Sequence, residues 1–169
     1  MGMRIAIIGA TGSIGTQALD VVSEHPERFT VVALAAGSES ERFSTLRSAH
    51  PHAHAITGGS RQDLVALVEA SAPDLVLVAS AGLVALPATL AALRGGAAVA
   101  IANKETIVCA GELIMPLARA HGVEIRPERL GLVDLRDLLG RRPGNRGPRI
   151  QDEQRDEPRG IQRNQKNDG

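Results

Sequence analysis

Seven residues near the start of the chain, Gly9-Ala-Thr-Gly12-Ser-Ile-Gly15, carry the pattern best suited to chemistry. The glycines recur every third residue between an apolar, β-branched run and an amphipathic stretch, the context that turns a glycine pattern into a phosphate site. Gly9 permits a tight turn, Gly12 lets a pyrophosphate approach the backbone, and Gly15 lets a helix pack on a strand. The N–H groups of Gly12, Ser13 and Ile14 are expected to be unpaired at the helix start, where they favour an anion. Thr11 and Ser13 add hydroxyl donors. The spacing is GxxGxxG rather than GxGxxG, so the loop reads as a dinucleotide site and leaves the choice of dinucleotide open.

Two further segments are expected beside this loop. Gly37-Ser38-Glu39-Ser40 follows an apolar strand and offers hydroxyls and one carboxylate near an adenosine ribose. A 2′-phosphate prefers Arg or Lys, whereas a carboxylate favours a free 2′-hydroxyl, so this loop alone leans towards NAD; the nearest cation in sequence is Arg42. Asn103-Lys104-Glu105 follows another strand. Asn103 can cap the next helix, Lys104 can hold a phosphate or polarise a carbonyl, and Glu105 suits a first helical turn.

Other reactive residues fall short of a site. His50, His52 and His54 alternate in a polar loop without convergent geometry for a metal. Cys109, flanked by apolar residues in a helix, reads as a core thiol rather than a nucleophile. Asp134 and Asp137 read as surface carboxylates three apart on a helix.

The elements that must position these groups alternate. Apolar runs at 4–9, 30–36, 53–57, 74–79 and 97–102 read as strands, and 123–125 begins a sixth. Helical spacing occupies 13–24, 41–49, 60–71, 83–94 and 104–121, with Pro26 and Gly95-Gly96 as stop signals. Strand and helix in strict alternation specify an α/β, doubly wound, Rossmann-like parallel sheet.

The alternation ends after Ile125. Residues 1–125 hold 25 alanines and a net charge of −3, from 8 basic and 11 acidic side chains; residues 126–169 hold no alanine and a net charge of +3, from 11 and 8. We therefore divide the chain into a dinucleotide-binding domain, 1–125, and a charged tail, 126–169. A short amphipathic helix is expected within 126–139. From Gly140 only Ile150 and Ile161 are apolar, too few to offset the entropy of ordering, so most of the tail is expected to be disordered. Asp152, Glu153, Asp156 and Glu157 interrupt its positive charge, which argues against an RNA- or lipid-binding arm.

Composition removes other classes. The formal net charge is zero and the chain has no Trp or Tyr and only two Phe, a poor surface for nucleic acid. No apolar stretch is long enough to span a membrane. A single cysteine excludes an internal disulfide and fits a reducing cytoplasm. A soluble α/β enzyme domain remains.

With these motifs assembled, the first 125 residues closely resemble the amino-terminal, NADPH-binding domain of 1-deoxy-D-xylulose 5-phosphate reductoisomerases. The resemblance rests on Gly-Ala-Thr-Gly-Ser-Ile-Gly at 9–15 with Leu-Asp-Val-Val at 19–22, and on Val-Val-Ala-Leu-Ala-Ala-Gly at 31–37. It continues in Ala-Gly-Leu at 81–83, Pro-Ala-Thr-Leu-Ala-Ala-Leu at 87–93, Ala-Asn-Lys-Glu-Thr-Ile-Val at 102–108 and Ala-Gly-Glu-Leu at 110–113. It implies isomerisation of a ketose phosphate followed by reduction with NADPH and a divalent metal, yielding 2-C-methyl-D-erythritol 4-phosphate for isoprenoid synthesis. It also implies that Thr11, Gly12, Ser13, Ile14, Gly37, Asn103 and Glu105 line the dinucleotide, and that Lys104 reaches the substrate. Ser38 and Glu39 belong to the same lining.

The chain departs from the family at three places. Ser38-Glu39 stands where a basic residue and Asn are common, which weakens the case for NADPH against NADH. Ala97 follows Gly96 where a Gly-Lys pair is usual. After Pro127 the chain reads Glu128-Arg129-Leu130-Gly131, where the family continues into Val-Asp-Ser-Glu-His with its metal-holding carboxylates. The metal ligands and the substrate domain are therefore expected to be absent, and the change after Ile125 to mark a shifted reading frame or an unrelated fused end. Catalysis by this polypeptide alone is not expected. A nucleotide-binding or interaction remnant, pairing with itself or with a full-length homologue, is the rival reading. A semialdehyde-type dehydrogenase needs a catalytic cysteine in a second domain, a role Cys109 does not fill.

Overall fold

The computed structural model describes residues 2–102, 104–123 and 125–127. Eleven elements alternate along them: β1 (Met3–Ile8), α1 (Ser13–Glu24), β2 (Phe29–Ala36), α2 (Glu41–Ala49), β3 (His54–Thr57), α3 (Arg61–Ser71), β4 (Leu75–Val78), α4 (Leu86–Arg94), β5 (Ala98–Ile101), α5 (Lys104–His121) and β6 (Ile125–Pro127). The strands form one parallel sheet in the order β3-β2-β1-β4-β5-β6. The chain winds outward from β1 to β3, then restarts beside β1 with β4 and winds the other way. This is the doubly wound Rossmann-like architecture, with its reversal point between β1 and β4.

Alternation along β1 explains why the sheet is covered on both faces. Ile5 and Ile7 pack with Leu34, Leu75, Leu77, the α1 residues Ala18, Leu19, Val21 and Val22, and Phe43 of α2. Ala6 and Ile8 point oppositely, into a core built with α3, α4 and α5. That second core is rich in alanine, including Ala33, Ala35, Ala88, Ala92, Ala110 and Ala118, so three helices sit close to the strands. Each large side chain fully buried there or opposite, such as Ile7 or Leu93, contributes roughly 1.5–3 kcal/mol of transfer free energy.

Local chemistry sets the ends of the elements. Ser60 and Asp63 form a reciprocal capping box at the start of α3, and Ser40 accepts the Phe43 N–H at 3.2 Å at the start of α2. The stretch 83–94 is helical only from Leu86, because Gly82, at φ +64°, leads into a turn closed by the Leu86 N–H on Leu83 O. Asp74 precedes β4 rather than opening it, and its carboxylate accepts the Arg4 N–H at 2.8 Å. The sixth strand reaches Pro127, opposite Ile101. The expected amphipathic helix and disordered tail lie outside the described residues.

One expectation is corrected. Cys109 is exposed, not a core thiol. The buried positions of α5 are Thr106, Ala110, Ile114 and Ala118, four apart along one face, and the residue before Ala110 is turned away by about 100°.

Candidate functional site

Parallel pairing brings the strand ends to one edge. The Gly9 and Ala10 N–H groups both donate to Ala35 O, at 2.8 and 2.9 Å, fixing the loop after β1 to the end of β2. Ala79 N–H donates to Ile8 O at 2.8 Å and Ala102 N–H to Val78 O at 3.0 Å. The glycine loop, Gly37, the segment after β4 and the start of α5 therefore share the carboxyl edge of the sheet, at the reversal point where ligands bind in open α/β folds.

The three glycines have separable causes. Gly9 adopts φ +96°, and a Cβ there would lie 2.6 Å from the Ala79 carbonyl carbon and 2.7 Å from Ser80 N. A Cβ on Gly15 would collide with the Gly9 carbonyl oxygen and sit 2.8 Å from Ala10 Cα. At Gly12 the tightest contact is 3.3 Å, to Gly9 O. Gly9 and Gly15 are needed for packing, whereas Gly12 presents an exposed, nearly bare backbone to the cleft.

The anion-binding set is smaller than the sequence implied. Gly12 N–H is not free: it donates to Gly9 O at 3.1 Å and closes the turn. Its carbonyl accepts from the Thr16 N–H at 2.9 Å and Thr16 Oγ1 at 2.8 Å. The N–H groups of Ser13 and Ile14 have no hydrogen-bond acceptor among the described residues. Gly12, as N-cap of α1, supplies no side-chain cap, and the first turn holds no acidic residue. Among the described residues the positive end of the helix is thus left uncompensated, as an anion site requires. Thr11 is half-buried and Ser13 exposed on the same loop.

Gly37, Ser38 and Glu39 are exposed beyond β2, and a Cβ on Gly37 would meet nothing within 4 Å. Glu39 does not stand alone as its loop implied. Oε1 accepts from the Ser44 hydroxyl at 2.9 Å, while Oε2 accepts from Thr57 Oγ1 at 3.3 Å and from the Arg47 guanidinium at 3.4 Å. Sequence reading looked to Arg42 for a cation here. Arg47 was missed because only the α2 helix brings a residue eight positions on back to Glu39.

At the far side of the cleft Lys104 opens α5 and Glu105 is exposed in its first turn; Asn103 lies outside the described residues. From the end of β2 to the end of β5 is three strand spacings, about 14 Å, so an extended ligand is needed to reach both. The sequence assigned no site role to the segment 80–82 after β4. Ser80 is backed by Gly9, and Gly82 O accepts from the buried Thr106 hydroxyl at 3.4 Å, joining this segment to α5. The adjoining Ala-Gly-Leu at 81–83 was visible as a motif but carried no reactive side chain to mark it.

The histidine tract makes no centre. His50 ends α2, with its imidazole pulled below the usual 6.5 by burial, and His54 opens β3 on the exposed side. Among the described residues no three His, Cys, Asp or Glu side chains come together to hold a metal ion.

The sequence matches the family 1-deoxy-D-xylulose 5-phosphate reductoisomerase over residues 5–58 and 41–111. The reductoisomerase of Xanthomonas axonopodis pv. citri is 39% identical over 146 aligned residues, covering 73% of this chain and 37% of the relative. A crystal structure of DOX-P reductoisomerase in complex with magnesium superposes with a TM-score of 0.67 at 29% identity, over 74% of this chain and 36% of that one. The Zymomonas mobilis reductoisomerase in complex with NADPH superposes with a TM-score of 0.61 at 30% identity, over 75% and 38%. The chain thus spans little more than a third of the length of the relatives it matches. On this family match and these relatives, the chain belongs to the 1-deoxy-D-xylulose 5-phosphate reductoisomerase family and corresponds to its NADPH-binding amino-terminal domain.

Proposed function

We propose that this chain binds a nicotinamide dinucleotide along the carboxyl edge of its sheet and by itself carries out no reductoisomerase turnover. The observation that carries the reading is the pair of acceptor-less N–H groups on Ser13 and Ile14, beside the bare Gly12 backbone, at the β1/β4 reversal point. The pyrophosphate sits there, with Thr11 and Ser13 adding hydroxyl donors. Gly37, Ser38 and Glu39 flank the adenosine ribose, and Asn103 and Glu105 meet the other end of the dinucleotide. Lys104 reaches towards a phosphorylated substrate. The family points to NADPH, and the Ser38-Glu39 loop admits NADH as well.

The whole family reaction, rearrangement of a ketose phosphate and its NADPH-dependent reduction to 2-C-methyl-D-erythritol 4-phosphate, needs more than this edge. A divalent metal supplies Lewis acidity to the substrate oxygens, and the described residues offer no set of ligands to hold one. Hydride transfer also needs an oriented acceptor, and the chain spans little more than a third of the relatives it matches. The expected result is saturable binding of NADPH with a raised melting temperature and no product from the ketose phosphate with magnesium present. Turnover under those conditions, or no binding, contradicts the proposal.

Pairing with a longer member of the family is a second reading, favoured by one observation. Val108 and Leu113 on α5 are 81% and 62% exposed, high values for large apolar side chains. Comigration with a full-length reductoisomerase on size exclusion supports it, and separate elution removes it. No described helix is long and apolar enough to cross a membrane, and a cytoplasmic location fits a dinucleotide-binding chain with one unpaired cysteine.

A further inference from the structure

Helix α5 carries two apolar rows, and only one of them is covered. Ala110, Ile114 and Ala118 belong to the core shared with α3 and α4. Cys109, Leu113, Pro116 and Ala120 form a second row, and all four are exposed. Their spacing of four, three and four residues is that of a coiled-coil seam. At 100° per residue this row stands about 110° around the helix from the buried one. α3 packs on α4 and α4 on α5, so among the described residues α5 is the last helix of its layer.

The charges beside the seam are ordered. Glu105, Glu112 and Arg119 are seven residues apart on one flank, and all are exposed. Among the described residues neither Glu112 nor Arg119 has an ion-pair partner. A second α5 laid parallel would bring Ala110 and Leu117 to this flank, which offer no charge. Laid antiparallel, it brings the same flank of the second helix instead. A two-fold axis between residues 114 and 115 then sets Leu113 beside Pro116 of the second copy. The same axis puts Glu112 within about two residues, or 3 Å of helix, of the second Arg119, and the contact is made twice.

We infer that α5 docks a second copy of this chain, antiparallel to its own counterpart, through the row from Cys109 to Ala120. The inference rests on neither reading of the function given above. The seam is about 16 Å long, which puts the interface at the small end of specific contacts, so the pairing is reversible and needs about 0.1 mM chain. Antiparallel packing also keeps the two Cys109 residues about 16 Å apart along the helix axis, beyond the reach of a disulfide. Association therefore does not depend on oxidation.

The test is sedimentation of the full chain with reductant present, from about 0.01 to about 0.3 mM, with melting curves for each variant. The unaltered chain is expected to pass from monomer to dimer across that range. Leu113→Glu puts a charge at the centre of the seam and is expected to weaken the dimer by about tenfold or more. Glu112→Arg is expected to weaken it by several-fold, and Glu112→Arg/Arg119→Glu to restore it, because the swap rebuilds both contacts with the signs exchanged. A chain that stays monomeric throughout overturns the inference, even if it associates with a full-length relative. So does a dimer indifferent to Leu113→Glu in a folded variant, or a charge reversal that the double swap fails to restore. Should Leu113→Glu not melt cooperatively, the two charge variants decide.

Discussion

The carbonyl oxygen of Gly9 accepts the Gly12 N–H at 3.1 Å and also fills the space that a side chain on Gly15 would need. One oxygen thus closes the turn and sets how nearly α1 approaches β1. Fold and ligand binding can then be separated by substitution. Gly15→Ala forces backbone apart and is expected to cost about 1–3 kcal/mol of stability; Gly9→Ala adds strain at φ +96°. Gly12→Ala, whose added carbon meets Gly9 O at 3.3 Å and Ala79 O at 3.9 Å, is expected to lower the melting temperature less than either. Its dinucleotide affinity should fall by about tenfold or more, because the pyrophosphate can no longer reach the backbone. Equal loss of melting temperature in all three variants contradicts this division.

Arg4 clamps the start of β1 to the end of α3. Its guanidinium donates to Ser71 O at 2.6 Å and to Ala72 O at 3.0 Å. Arg4→Met keeps the apolar stem and leaves two carbonyls to water, with an expected loss of about 1–3 kcal/mol by denaturant melting. Ala72, at φ +40°, is the one described residue other than glycine in the left-handed region. Ala72→Gly is expected to raise stability by under about 1 kcal/mol, strain relief being partly offset by unfolded-state entropy.

The α3 capping box is acid-sensitive. Hydrogen bonds from the Ser60 backbone N–H and then its hydroxyl hold the Asp63 carboxyl below its ordinary 3.8. A folded pKa below the unfolded one stabilises the fold fully above that ordinary value, and the contribution disappears as pH falls through the lowered one. Parental and Asp63→Asn chains should therefore differ in melting temperature at pH 7 and converge as the pH falls well below the ordinary 3.8. A constant difference down to that pH contradicts the assignment.

Cys109 should react in the folded state. Its thiol is exposed on α5, so a thiol reagent is expected to modify one cysteine per chain without denaturant, leaving the melting temperature near its starting value. Modification only after unfolding contradicts the exposed placement.

The sheet was legible because its strands are short apolar runs of Val, Ile, Leu and Ala between glycines and helix caps, a pattern with few other solutions. What escaped reading depended on tertiary placement. The Gly12 N–H is consumed by a turn whose closure depends on the conformation of Gly9. Arg47 reaches Glu39 only through the α2 helix. Cys109 looked internal because Ile107 and Ala110 beside it are apolar, while exposed Val108 and Leu113 leave the buried row from Thr106 to Ala118 hard to distinguish.

The most direct test of the central claim is an amide spectrum of the isotope-labelled chain titrated with NADPH and, in parallel, with NADH. The account predicts that the Ser13 and Ile14 amide signals shift saturably with at least one cofactor, with the signals of Gly12 and Gly37 following. Saturable shifts confined to other parts of the sheet, or none with either cofactor, would contradict it.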